Sequence, residues 1–397
     1  MKILVASDAY TFQTNGVANV VMTQVRELRK LGHSVKVIAP SDRPSSFREG
    51  DDYYFASVPA LVYPDVRLGV AFHNRYIREL KEWRPDVIHI HTEAAMEHIA
   101  RKIIRADRTP FVMTVHTDYS QYAFGSAEDR PAVQTLFRIL GKVVYRGVDA
   151  VIAPSEKALD FPQLRPVQRT VVIPNGIHME TYQKPCPPEE RQALYNQLGL
   201  QDNGKTLVVI SRVSKEKNIQ EILAYLPGLK KRVPDAQLVI VGDGPEKERL
   251  EAQCAEEGMQ AAVRFTGRIP REEVYRYYAM GDVFVSASTF EVHSLTFLEA
   301  MARGLPLVCR EDASLRGVLE HGDNGFIYRT EEEFDQAVET ILMDDALRHR
   351  MKARALERAE EFSDRRQLER TLKLYEQILA EAGAKEQDST IHQQKEE

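Results

Sequence analysis

Residues 283–309 read VFVSASTFEVHSLTFLEAMARGLPLVC, and three pieces of this stretch settle how the chain folds. Val283–Ala287 and Leu307–Cys309 are short apolar runs of strand type, and Leu295–Arg303 between them has helical patterning. Strand, helix and strand in succession form the repeating unit of a parallel sheet covered by helices on both faces. The unit recurs upstream, with strands expected at Thr206–Ser211, Gln237–Val241 and Val263–Thr266 and a helix over Glu246–Glu257. The first half alternates in the same way, with strands at Lys2–Ser7, Ser34–Ala39, Asp86–His91, Phe111–His116, Ala150–Ala153 and Val171–Ile173. Its first helix spans Val17–Leu31 and ends at Gly32.

The alternation breaks at Pro174-Asn175-Gly176 and the Pro-rich Pro185-Cys186-Pro187-Pro188. This predicts two doubly wound α/β domains, 1–174 and 175–365, facing each other across a cleft. A helix over 366–383 is expected to cross back to the first domain, ahead of a disordered polar tail at 384–397. The 397 residues are 43% hydrophobic and 28% charged, a globular composition. No run approaches the ~18 apolar residues of a membrane span, and the apolar part of MKILVASDAY is too short for a signal segment. Cys186, Cys254 and Cys309 stand far apart and suggest neither disulfides nor a zinc site, so a reducing cytoplasm is the expected home. The net charge of −6 argues against nucleic acid as a partner. It divides unevenly: residues 1–174 hold 23 basic and 19 acidic side chains, leaving 30 and 40 for the rest.

Ligands of doubly wound folds bind outside the carboxyl ends of the strands, so the loops there carry the candidates. After the first strand, Gly16 stands at the mouth of a helix, where backbone N–H groups can meet an anion. Neither GxGxxG nor GxxxxGK[ST] occurs, which weakens a dinucleotide dehydrogenase, and a lone glycine there is also an ordinary loop feature. In Ser211–Asn218, Arg212 and Lys217 are two cations able to hold a diphosphate, or else members of a solvated charged loop. Glu291 sits in a loop where a carboxylate can accept hydrogen bonds from sugar hydroxyls, and Ser294, Leu295 and Thr296 open the next helix with free N–H groups. Glu299 lies on that helix between apolar neighbours, as a ribose ligand, a surface residue or a buried carboxylate needing a partner. His116 ends a strand, while His89 and His91 share one strand face with no third metal ligand nearby.

The stretch 290–306 resembles the E-x7-E signature of family 4 glycosyltransferases, followed by their EAMAxGxPxV run. Ser211–Lys217 resembles the family's GRxxxxK element with serine for the glycine, and Val241-Gly242-Asp243-Gly244-Pro245 is similar to its VGxGP turn. The resemblance implies a GT-B fold of two Rossmann-like domains, a nucleoside-diphosphate sugar donor, no cofactor or essential metal, and transfer with retention of configuration. It implies that Glu291 holds donor-sugar hydroxyls, Glu299 the ribose, and Arg212 and Lys217 the diphosphate. Backbone groups of Ser294, Leu295 and Thr296 would help, and Gly16 would lie near the diphosphate. Ser294 stands where the family shows glycine, and its Cβ would narrow the phosphate pocket. His116 resembles the family's histidine that faces the donor sugar.

Between Arg67 and Arg108 there are nine basic and six acidic residues, and Phe72, Tyr76, Ile77, Leu80 and Trp83 punctuate the cations Arg75, Arg78 and Lys81 at helical spacing. Such a helix suits an anionic membrane surface, unless its apolar residues form a core-facing stripe. Pro64–Leu68, Pro85–Thr92 and His116–Tyr122 resemble the matching segments of bacterial diacylglycerol glucosyltransferases. The expectation is a peripheral enzyme at the inner face of the cell membrane that moves a hexose from a UDP-sugar to diacylglycerol. A soluble transferase acting on a polysaccharide precursor or small molecule, a UDP-sugar epimerase and a non-catalytic sugar-nucleotide binder stay open beside it.

Overall fold

The computed structural model describes the chain except residues 13–14, 60–66, 70–74, 105–108, 119–130 and 397, and gives no side-chain environment for 59, 68 and 385–396. The expectations resting on Phe72, on Pro64-Asp65-Val66 and on 119–122 lie outside the described residues. The chain divides into two compact units. Met1–Gly176 with Asp364–Glu397 form the first, and Ile177–Ser363 the second.

The first unit carries β1 (Lys2–Ala6), β2 (Ser34–Pro40), β3 (Phe47–Glu49), β4 (Asp52–Phe55), β5 (Ser57–Pro59), β6 (Arg67–Gly69), β7 (Val87–Ile90), β8 (Phe111–Thr114), β9 (Ala150–Ala153) and β10 (Thr170–Val172). Eight form one sheet in the order β10-β9-β8-β7-β1-β2-β4-β3, parallel except at β3, while β5 and β6 pair separately and antiparallel. Four of the five β1 residues are buried, because helices cover both faces and leave no polar side to alternate with. Helix α1 (Gly16–Lys30) starts where the Asn15 side chain accepts the Ala18 N–H at 2.9 Å, and Gly32 follows its end at φ +82°. Further helices of this unit are α2 (Arg75–Trp83), α3 (Ala95–Arg101) and α4 (Pro131–Val144).

The chain's last helix, Asp364–Glu396, also belongs to this unit. Its Leu368, Leu374, Tyr375 and Ile378 join Val21, Val25 and Leu28 of α1 and the strand side chains Ile3, Val35 and Val87 in one core. The helix continues through residues expected to be a disordered tail. Ala384, Lys385, Glu386 and Gln387 are strong helix formers, and they extend a helix already nucleated by its packed first turns.

In the second unit, β11 (Thr206–Ile210), β12 (Gln237–Val241), β13 (Val263–Phe265), β14 (Val283–Ser286), β15 (Leu307–Arg310) and β16 (Gly325–Tyr328) form a fully parallel sheet. The order is β13-β12-β11-β14-β15-β16. Successive strands run outward from β11 on one side and from β14 on the other, so the order reverses between these two. The helix between β14 and β15, α5 (Leu295–Arg303), buries Phe297, Leu298, Ala300 and Met301 and ends at Gly304, φ +80°.

Candidate active site

The switch between β11 and β14 is where loops leave in opposite directions and open a crevice at the strand ends. Lys217 follows β11 and Glu291 follows β14. Their side chains meet there, with Lys217 Nζ 2.5 Å from Glu291 Oε1 and side-chain exposures of 23% and 13%. Burial pushes the Glu291 carboxyl up, but the Lys217 ammonium and hydrogen bonds from Lys217, Ser288 and Ser294 outweigh it, leaving it below its ordinary value. Thr296 and Ser211 line the same small pocket. Helix α5 begins at its edge with no side-chain cap, so the N–H groups of its first turn remain available to an anion. The Ser294 hydroxyl lies 3.1 Å from that of Thr296.

The loop carrying Arg212 is held from below by the Gly242–Gly244 turn. Ser211 N–H donates to the Val241 carbonyl at 3.1 Å, and Val213 N–H to that of Asp243 at 2.9 Å. A Cβ on Gly242, whose φ is +141°, would stand 1.9 Å from the Ser211 carbonyl oxygen, and one on Gly244 2.2 Å from that of Val213. Both positions accept only glycine if the two loops are to touch. Arg212 itself is exposed.

Glu299 does not join this pocket. It is 8% exposed, and its oxygens accept hydrogen bonds from the Tyr182 hydroxyl at 2.5 Å and the Tyr278 hydroxyl at 2.7 Å. Burial raises its pKa, with the two tyrosyl bonds opposing. Each carboxylate oxygen keeps a further lone pair, so these two bonds leave acceptor sites for the ribose role expected for it. Of the readings left open, the buried carboxylate with partners is the one observed. Tyr182 lies 117 and Tyr278 21 positions from Glu299 in sequence, so no local pattern links them to it. No sequence signal marks His293, which is 7% exposed; among the described residues its Nδ1 has no hydrogen-bond partner, and burial lowers its pKa to about 4.

The first unit has its own switch, between β1 and β7, and polar groups gather there as well. Asp8 after β1 accepts from the Thr92 hydroxyl at 2.7 Å and the Met96 N–H at 3.2 Å. Burial raises Asp8 to about 6 against these hydrogen bonds. His91 Nδ1 lies 3.1 Å from His116 Nε2, and the two rings stack at 5.4 Å. Burial depresses both imidazoles, His116 to about 4, so both are neutral and one must donate to the other. His89 is spent on structure, contacting Tyr375 Oη at 2.5 Å and Thr114 Oγ1 at 2.7 Å. Gly16 opens α1. Among the described residues no three metal-ligating side chains gather around Glu291 or His116.

The expected membrane face on α2 is turned outward only in part. Tyr76 and Leu80 are buried, Tyr76 lies edge-on to Tyr53 at 5.5 Å, and Lys36 Nζ sits 5.0 Å over the Trp83 ring. Arg75, Arg78 and Lys81 are exposed, Ile77 and Trp83 are half-buried, and Tyr76 and Leu80 pack into the core. Among the described residues no helix is long and apolar enough to cross a membrane.

These two units together match solved structures over nearly their whole length. Anabaena HepE in complex with UDP covers 95% of this chain and 100% of its own at a TM-score of 0.73 and 22% identity, and the fold is GT-B. In sequence, the family Glycosyltransferase Family 4 matches residues 14–181 and Glycosyl transferases group 1 matches residues 190–358. The alpha-monoglucosyldiacylglycerol synthase of Acholeplasma laidlawii is 30% identical over 344 residues, 84% of this chain and 86% of that protein. The enzyme of the same name from Streptococcus pneumoniae is 31% identical, over 85% and 77%. The chain belongs to glycosyltransferase family 4, and it is a hexosyltransferase.

Proposed function

We propose that the protein moves a hexose, glucose foremost, from its UDP diphosphate to the hydroxyl of diacylglycerol at the inner face of the cell membrane, with retention and without a metal. The observation that carries this reading is the Lys217–Glu291 pair at the β11/β14 switch, beside the uncapped start of α5. The named function of the two synthase relatives supports the acceptor, and the UDP held by HepE supports the donor. In this proposal the second unit takes the nucleotide sugar and the first unit the acceptor.

Departure of the diphosphate leaves negative charge on phosphate oxygens and positive charge at C1. Lys217, Arg212 and the N–H groups of Ser294, Leu295 and Thr296 stabilise the former, and Gly16 lets backbone approach it. Glu291 orients the sugar through its hydroxyls, and His116 donates a hydrogen bond to a sugar hydroxyl. Attack comes on the face the diphosphate leaves. The acceptor oxygen bonds to C1 as the C1–O bond to phosphate breaks, and a leaving phosphate oxygen takes the acceptor's proton. Glu299 accepts from the ribose hydroxyls alongside its two tyrosyl bonds. Incubating the chain with UDP-glucose and diacylglycerol vesicles, with and without EDTA, and reading the product linkage by NMR tests this. An α-linked glucosyl lipid formed at equal rate in EDTA is expected; no lipid product, or a β-linkage, overturns it.

A further inference from the structure

Helix α4 presents an unusual surface. Gly141 faces inward so closely that a Cβ there would stand 2.1 Å from the Gln163 carbonyl oxygen. The helix end is tied down where Arg101 Nη2 donates to the Val144 carbonyl at 2.5 Å and where the Tyr145 hydroxyl donates to Glu93 at 2.7 Å. Its inward side is therefore settled. The opposite side carries Leu136, Ile139, Leu140 and Val143, exposed by 45%, 55%, 44% and 69%. At 100° per residue, Ala132, Leu136, Ile139 and Val143 fall on one stripe, with Leu140 at its margin. Arg138 and Lys142 are exposed along one flank and Arg146 continues it, while residues 131–144 contain no acidic side chain.

We propose that this face of α4, and not α2, is where the protein docks on an anionic bilayer. The inference rests on the lipid-acceptor reading above and names the surface that serves it. The charge pattern selects the occupant. Two copies meeting through this stripe would bring like cations together, and four side chains fall short of the ~800 Å² each partner buries in a stable dimer. An anionic lipid surface complements the flank, and the apolar stripe enters the headgroup boundary. A helix of 14 residues is too short to span ~30 Å of hydrocarbon, so it lies in the plane of the interface.

Co-sedimentation of the full chain with vesicles of phosphatidylcholine containing about one-third phosphatidylglycerol reads the docking. Ile139→Ser with Val143→Ser should lower partitioning by about tenfold or more. Arg138→Glu with Lys142→Glu should lower it by at least about fivefold per cation and flatten its salt dependence. Arg78→Glu with Lys81→Glu on α2 should change it by less than about twofold. Wild-type partitioning of the Ile139/Val143 variant overturns the proposal, as does a shift of that variant from dimer to monomer with vesicle binding intact. Release of UDP from UDP-glucose with diacylglycerol supplied in neutral detergent micelles, where no anionic surface is present, separates the two readings. Turnover without stripe-dependent vesicle binding retires the docking face alone, and stripe-dependent binding without turnover supports that face while retiring the proposed reaction.

Discussion

Lys217 and Glu291 neutralise each other across 2.5 Å, so removing either leaves a poorly solvated charge as well as an empty contact. Glu291→Ala should reduce transfer by about 10²–10³-fold, measured as glucosyl lipid formed per minute. A variant that retains near-normal turnover with an unchanged circular dichroism spectrum would remove Glu291 from the chemistry. Beneath the pair, Gly242→Ala would place a Cβ 1.9 Å from the Ser211 carbonyl at a φ that side chains rarely adopt. A loss of about 2–4 kcal/mol in urea unfolding is expected, with weaker UDP binding as the Arg212 loop shifts. Equal midpoints for the variant and the parent would show that the turn does not clamp that loop.

At the level of elements, the final helix is part of the first unit's core rather than an appendage. Tyr375 is fully buried in that core and contacts His89. Tyr375→Ala should cost about 3–5 kcal/mol through its cavity, and Tyr375→Phe about 1–3 kcal/mol by leaving His89 without that partner. The fluorescence of Trp83, the sole tryptophan, lies in this unit and reports the change. Chemical unfolding midpoints equal to the parent's would show that the helix is dispensable to the unit. Comparing α2 with α4 makes a related point. Similar mixtures of cations and apolar residues end differently, because α2 lies against Tyr53 and Phe55 while α4 turns a glycine inward and its leucines outward.

Taken as a whole molecule, the protein should respond to acid, and most strongly in the first unit, with His293 of the second adding in the same sense. His89, His91 and His116 are held neutral by burial, with His89 near 3 and His116 near 4. Unfolded imidazoles bind protons near 6.5, so the stability these groups contribute is present above that pH and is lost as pH falls from about 6.5 towards 4. Asp8, raised to about 6, acts in the opposite sense, its contribution being lost as pH rises through that value, but within the first unit three imidazoles outweigh this one carboxyl. The Trp83-detected urea midpoint should therefore drop between pH 7.5 and 5.5, and His89→Gln should flatten the slope. A midpoint independent of pH would mean that the imidazoles titrate freely in the folded state.

Apolar runs placed eleven strands, because parallel strands covered on both faces read as unbroken apolar runs, and the Pro and Gly cluster at 174–176 placed the break. The short β3, β4, β5, β6 and β16 escaped, being only three or four residues long and crowded by turn residues. The spacing of Arg212, Lys217, Glu291 and the glycines was legible as a family resemblance, and in the structure Lys217 meets Glu291 while Gly242 and Gly244 press on the Arg212 loop. Pairing was not legible. That Glu299 accepts from Tyr182 and Tyr278, that His116 meets His91, and that α2 turns Tyr76 and Leu80 inward while α4 exposes its leucines all depend on which distant segments share a wall. Local sequence determined the elements and their chemical endowment through propensity and pattern. Tertiary packing decided which of those groups stay available, because burial and hydrogen bonding between residues far apart in sequence set each group's partner, charge and exposure.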